Sequence, residues 1–154
     1  MKPILILGLG NPLQGDDGVG CRVIEALQQE TLPDGVEAMD GGTPGVGLVH
    51  LLEGRRCVFL VDAAEMGQAP GTVVRLRPEE LSLTSPQQQF SLHRAGVAEA
   101  LALAHAVKMS LPEVVVFGVQ PSRVGWGMGL SPQVEAAVGP VVEALLNEAR
   151  VSHT

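Results

Sequence analysis

Aromatic side chains make up only 3% of the 154-residue chain, so its core has to be built from Val, Leu, Ile and Ala rather than from rings. Cysteine is almost as scarce. Cys21 and Cys57 stand far apart, in neither CxxC nor metal-finger spacing, which argues against a disulfide scaffold and for two buried thiols in a reducing compartment. Basic residues are outnumbered, ten Lys and Arg against seventeen Asp and Glu, and the net charge of −7 disfavours nucleic acid and anionic lipid as partners. Long apolar runs are missing too. Met1-Lys2-Pro3 leads into only the short run Ile4-Leu5-Ile6-Leu7, too little for a signal peptide or a membrane span, so the cytoplasm is the expected location.

What is present is a 45% hydrophobic chain long enough for one domain, 1–154, which at this size buries about two thirds of the surface its unfolded form exposes. The continuous apolar run 4–7 reads as a strand buried on both faces, ended by the turn formers Gly8-Leu9-Gly10-Asn11-Pro12. Val19, Val23, Ile24 and Leu27 then share one face of a helix over 17–29. A short strand over 36–39, a loop from Asp40 to Pro44, a short helix over 46–52 and a third strand over 57–61 follow. Residues 72–77 mix polar and apolar positions as an edge strand does; 82–90 reads as loop, 92–107 as a largely buried helix and 114–119 as a fifth strand. After a Gly-rich loop, Ser131-Pro132 is a helix N-cap with proline at the first helical position, and Val134, Val138, Val141, Val142 and Leu145 form the apolar face of the last helix. Strands alternating with helices predict an α/β fold: a three-layer sandwich whose mostly parallel, five-stranded twisted sheet has helices on both faces.

In such a sheet, ligands bind beyond the carboxyl ends of the strands, and this chain sets acids there repeatedly. Asp16 and Asp17 follow the first strand, Asp40 the second and Asp62 the third, with Glu65 close behind, and His93 opens the third helix. Clustered carboxylates repel one another unless a cation or proton neutralises them. Two carboxylates and an imidazole suit a divalent transition metal such as nickel, zinc or cadmium and leave coordination positions open. A helix N-terminus would disfavour the imidazolium and keep His93 neutral and able to coordinate. Of the adjacent acids, Asp16 is expected to cap the helix, leaving Asp17 as the ligand. Asn11 and Asp40 read as turn residues. His50, His105 and His153 read as ordinary; His105 is twelve residues from His93, a rotation of about 120° on a helix.

Two other nucleotide and phosphate chemistries compete for this pattern. Gly8 and Gly10 after a strand suggest a dinucleotide site, but Leu13 stands where the third glycine belongs and Asp16-Asp17 would repel a pyrophosphate. A phosphorylation receiver domain also has an acid pair after strand one and an aspartate after strand three. Its fifth strand should end in Lys-Pro, whereas this chain has Gln120-Pro121.

The stretch from Gly8 to Gly20, Gly8-Leu9-Gly10-Asn11-Pro12-Leu13-Gln14-Gly15-Asp16-Asp17-Gly18-Val19-Gly20, resembles the opening signature of the nickel-iron hydrogenase maturation endopeptidases. Asp40-Gly41-Gly42-Thr43-Pro44-Gly45, Val61-Asp62-Ala63, Leu92-His93, Phe117-Gly118-Val119-Gln120-Pro121 and Gly129-Leu130-Ser131-Pro132-Gln133-Val134 are similar to that family's later motifs, so the resemblance runs from residue 4 to about 146. It implies a metal-dependent protease that removes a C-terminal extension from a hydrogenase large-subunit precursor after nickel insertion. The nickel would arrive with the precursor, be recognised by Asp17, Asp62 and His93, and place the scissile bond; zinc or cadmium could occupy the site in vitro. Asp40, Gly41, Gly42 and Thr43 would form a substrate-recognition loop, with Asn11 and Asp16 beside the site. Some members carry Glu where Asp17 stands. No Ser-His or Cys-His nucleophile is evident, so hydrolysis would use a metal-polarised carbonyl or metal-activated water, with a carboxylate such as Asp17 as base. A non-hydrolytic nickel chaperone with the same ligands is the remaining alternative. Trp126 and Met128 would be either a lid on the core or an exposed patch for docking the precursor. A monomer is expected.

Overall fold

A computed structural model describes residues 1–78 and 97–153. Strands β1 (Ile4–Leu9), β2 (Val36–Gly42), β3 (Cys57–Ala63), β4 (Val73–Leu76) and β5 (Glu113–Val119) form one sheet in the order β2-β1-β3-β5-β4. The first four in that spatial order are parallel and β4 is antiparallel to β5 at the edge. The mostly parallel sheet agrees with the sequence pattern, and the direction of β4, which the sequence left open, is now defined.

β1 is apolar throughout because it has a strand on either side and helices on either face. Ile4 and Ile6 pack with Phe59, Val61, Val115 and Phe117 against α1 (Val19–Leu27) and α4 (Pro132–His153). Leu5, Leu7 and Leu9 pack with Val58, Leu60 and Val116 against α2 (Leu48–Leu52) and α3 (Val97–Ala106). With so few rings available, the aliphatics carry both layers; Phe59 and Phe117 make one tilted aromatic contact, their centroids 6.4 Å apart.

Four expectations need correction. β2 runs on through Asp40 and Gly41 to Gly42, because its backbone stays paired with Gly8 and Leu9 across a register shift. β3 likewise extends past Val61, so Asp62 lies within a strand, opposite Gly118 of β5. The described part of α3 is half-exposed rather than largely buried: Val97, Ala100 and Ala104 face the sheet, while Leu103 and His105 face solvent. Cys57 is buried, but Cys21 is only partly so. Burial pushes both thiols up to about 11, with Asp40 adding to the effect at Cys21 and Glu113 at Cys57. The expected loop over 82–90 lies outside the described residues. Among the described residues, no helix is long and apolar enough to cross a membrane.

Two glycines set how closely α1 meets the sheet. A Cβ on Gly8 would lie 2.5 Å from the carbonyl oxygen of Gly20, and one on Gly20 would lie 2.6 Å from that of Val61. Backbone therefore touches backbone where β1, β3 and α1 cross, which brings the start of the helix onto the carboxyl ends of the two strands.

Candidate functional site

β1 pairs with β2 on one side and β3 on the other, so the chain's crossovers diverge between β1 and β3, the place where open α/β sheets form a crevice. Gly10 occupies that point. Its φ of +112° is a conformation L side chains rarely adopt, and a Cβ there would collide with the Asp17 carbonyl and lie 3.2 Å from Asp62 Oδ1. Its N–H donates to Gly42 O at 2.9 Å. One glycine thus has the Asp17 turn, the Asp62 carboxylate and the end of β2 around it.

Asp17 lies in a short 3-10 turn, Asp16–Gly18, ahead of α1 and is 5% exposed. Its Oδ2 accepts a hydrogen bond from Asn11 N at 2.9 Å, while its buried Oδ1 has no hydrogen-bond partner among the described residues. Asn11 is the turn residue expected, its own Oδ1 accepting from Leu13 N at 2.9 Å, and it also orients Asp17. Asp62 is 1% exposed. Strand alternation sets it on the sheet face covered by α2 and α3, in line with Val58 and Leu60.

Asp16 does not cap its own helix; no side-chain cap is made there. Its carboxylate instead crosses to the last loop. Oδ2 accepts from Ser122 N at 2.8 Å, Arg123 N at 2.9 Å and Ser131 Oγ at 2.8 Å, and Oδ1 accepts from Ser131 N at 2.7 Å. Burial alone would raise its pKa, but the hydrogen bonds from Arg123, Ser131 and Ser122 outweigh burial and hold Asp16 below its ordinary value of 3.8. Ser131 therefore serves Asp16 as well as opening α4, where Glu135 N donates to Ser131 O at 2.9 Å.

Asp40 is exposed, and its Oδ1 accepts from Gly42 N at 3.1 Å, the turn-capping role expected of it. Gly41 and Gly42 are half-buried and Thr43 is exposed; nothing lies within 4 Å of where a Gly42 side chain would begin. At Gly41, by contrast, a Cβ would lie 2.8 Å from a methyl carbon of Leu7, so the open space begins at Gly42. His93, the third expected ligand, lies outside the described residues.

Gln120 is a site residue that sequence reasoning passed over. It is 3% exposed at the end of β5; its Oε1 accepts from Met66 N at 2.7 Å and Gln68 N at 3.2 Å, and its Nε2 donates to both Glu65 carboxylate oxygens at 3.0 Å. It ties down the loop that follows Asp62. The available signal was a lone amide directly after an apolar strand, at the sheet edge where the acids gather.

Gly10 is met by the backbone carbonyl of Asp17 on one side and by the Asp62 carboxylate on the other, and both acids are buried, an environment in which a carboxylate needs a compensating partner. Among the described residues, no group of three His, Cys, Asp or Glu side chains could hold a metal ion.

Comparison with known proteins gives a consistent result. Residues 21–148 match the model of the HycI family, described as hydrogenase maturation protease. The chain is 36% identical over 151 residues to the hydrogenase 2 maturation protease of Escherichia coli K12, covering 97% of this chain and 92% of that one. It is 38% identical over 145 residues to the hydrogenase expression/formation protein HoxM of Azotobacter vinelandii, covering 93% of this chain and 70% of the relative. Its fold is similar to the solved structure of the hydrogenase maturating endopeptidase HybD from E. coli, with a TM-score of 0.85, 36% identity, and coverage of 99% and 94% of the two chains. The HybD protease from Thermococcus kodakarensis aligns with a TM-score of 0.78 at 26% identity, over 97% and 99%.

Proposed function

The chain belongs to the hydrogenase maturation proteases, and from that premise we propose that it removes the C-terminal extension of a nickel-iron hydrogenase large-subunit precursor after nickel insertion, reading the nickel through Asp17, Asp62 and His93. The observation that carries this reading is the buried Asp17 Oδ1, which has no hydrogen-bond partner among the described residues, in the crevice at Gly10 where the buried Asp62 carboxylate also lies. A buried acceptor with no donor is costly to maintain, and a cation delivered by the substrate would satisfy it.

The division of labour follows from the elements that carry each group. Asp17 comes from the turn after β1 and Asp62 from β3, so both are fixed by the central strands. His93 lies four positions ahead of Val97 in sequence, and α3 covers the sheet face that bears Asp62. A neutral His93 would add a nitrogen donor to two oxygen donors, a mixed set suited to nickel, zinc or cadmium. The metal would arrive as part of the substrate, marking a precursor ready for cleavage, and would supply Lewis-acid polarisation of the scissile carbonyl or of the attacking water. Asp17, held by Asn11 N at one oxygen, has its other oxygen available to the metal or to a proton from that water. The edge from Asp40 to Thr43 would receive the extended peptide. The protein would act in the cytoplasm as a monomer.

The test is to incubate the protein with nickel-loaded and with nickel-free precursor and follow the C-terminal extension by mass spectrometry. Loss of the extension only from the nickel-loaded form is expected. Binding of loaded precursor without cleavage would replace the protease reading with that of a nickel chaperone.

A further inference from the structure

The loop between β5 and α4 has a feature that peptide hydrolysis does not require. Its backbone is pinned: Gly127 N donates to Leu13 O at 2.9 Å, Gly15 N donates to Gly127 O at 2.8 Å, and Asp16 N donates to Arg123 O at 2.9 Å. The Asp16 carboxylate holds the same loop from Ser122 to Ser131. Yet the side chains it presents stand in solvent. Trp126 and Met128 are each 79% exposed, and the neighbouring Leu13 and Val124 are 48% and 39% exposed. The hydrogen bonds on both arms of the loop exclude fraying as the cause.

Ten large hydrophobic side chains are exposed among the described residues, and four of them fall in these two bridged segments, 13 and 124–128. A tryptophan and a methionine displayed on a fixed backbone lose little freedom when a partner covers them, which is how interface anchors are built. The first segment continues through Asp16 into Asp17, so the patch is continuous with the loop that carries the proposed ligand. Four side chains fall well short of the roughly 20–30 residues a side that a stable interface uses, so the patch suits an anchor within a transient contact rather than a permanent dimer.

The geometry points to Leu13, Val124, Trp126 and Met128 as the docking face for the folded large-subunit precursor, with Asp16 as the positioning residue that keeps this face in register with Asp17. The inference rests on the proposed protease reading and adds to it a surface for the body of the substrate, separate from the groups that meet its metal. Docking here would fix the precursor before its C-terminal segment reaches the crevice at Gly10.

The experiment compares wild type, the double variant Trp126→Ser/Met128→Ser and the control Val107→Ser, which alters an exposed apolar residue after α3. Cleavage of nickel-loaded precursor is measured across precursor concentrations, and sedimentation velocity reports the mass of each enzyme alone. The expected result is a KM raised roughly tenfold or more in the double variant, with kcat within about twofold of wild type and Val107→Ser indistinguishable from wild type. An unchanged KM in the double variant, alongside a wild type that cleaves, would overturn the docking face and leave the protease reading intact. A wild type that sediments as a dimer, and a double variant that does not, would assign the patch to a second copy and overturn the proposal. A wild type that fails to cleave loaded precursor would remove the protease reading and this inference together.

Discussion

Asp16 and Ser131, 115 positions apart in sequence, are joined twice: the serine's N–H donates to Oδ1 at 2.7 Å and its hydroxyl donates to Oδ2 at 2.8 Å. The pair ties the turn after β1 to the start of α4, and Ser122 and Arg123 donate to the same carboxylate. Asp16→Ala would strand four donors at a site where the acid is 1% exposed. A loss of about 2–4 kcal/mol is expected, from charge-assisted hydrogen bonds left unmade. Denaturant unfolding at neutral pH measures it, and a loss under 1 kcal/mol would mean that the latch contributes little.

The same latch has a pH signature. Asp16 is held below its ordinary value of 3.8 in the folded protein. A depressed carboxylate contributes stability that is present above the unfolded value and lost as pH falls through the folded one. Wild type should therefore lose stability below about pH 4 more steeply than Asp16→Asn does, in unfolding midpoints taken from pH 6 to 2.5. Parallel profiles would contradict the assignment.

Gly10 should tolerate no side chain. Gly10→Ala meets both a φ of +112° and the Asp17 carbonyl, so a destabilisation of about 1–3 kcal/mol together with loss of processing is expected. Gly42→Ala has the same handedness problem, with φ +60°, but open space around it, and should be the milder change. Thermal melts of the two variants side by side give the comparison.

Asp17 should affect activity far more than stability. Asp17→Asn keeps the side chain's shape and an acceptor for Asn11 N but removes the carboxylate, so the unfolding midpoint should hold while processing falls by at least about a hundredfold. Adding nickel, zinc or cadmium to wild type should raise its midpoint, by about 2.7 kcal/mol at a hundredfold excess over Kd, and should do so much less in Asp17→Asn. Equal stabilisation of the two proteins by metal, read by calorimetry, would remove Asp17 from the ligand set.

Much of this was legible in the residues because the relevant signals were local. Ile4-Leu5-Ile6-Leu7 announces a strand buried on both faces, and Ser131-Pro132 announces a helix start; both hold. The ends of β2 and β3 were misjudged because Asp40, Gly41, Gly42 and Asp62 look like loop residues, while pairing with the neighbouring strands keeps them extended. Asp16 was misread for a related reason: a carboxylate before a helix ordinarily caps it, and nothing nearby in sequence reveals four donors arriving from residues 122–131. Gln120 was legible only as a polar residue after a strand, since its partners Glu65, Met66 and Gln68 are more than fifty positions away. Trp126 was undecided between lid and surface, and its 79% exposure decides for the surface.

The most direct test of nickel reading is the ratio of cleavage rates for nickel-loaded and nickel-free precursor, measured by mass spectrometry with wild type, Asp17→Asn and His93→Ala. Wild type should cleave the loaded form at least about a hundredfold faster, and both variants should lose the fast reaction while still folding. Equal rates on the two precursors, or variants that keep the full preference for nickel, would contradict the claim that Asp17 and His93 read the metal.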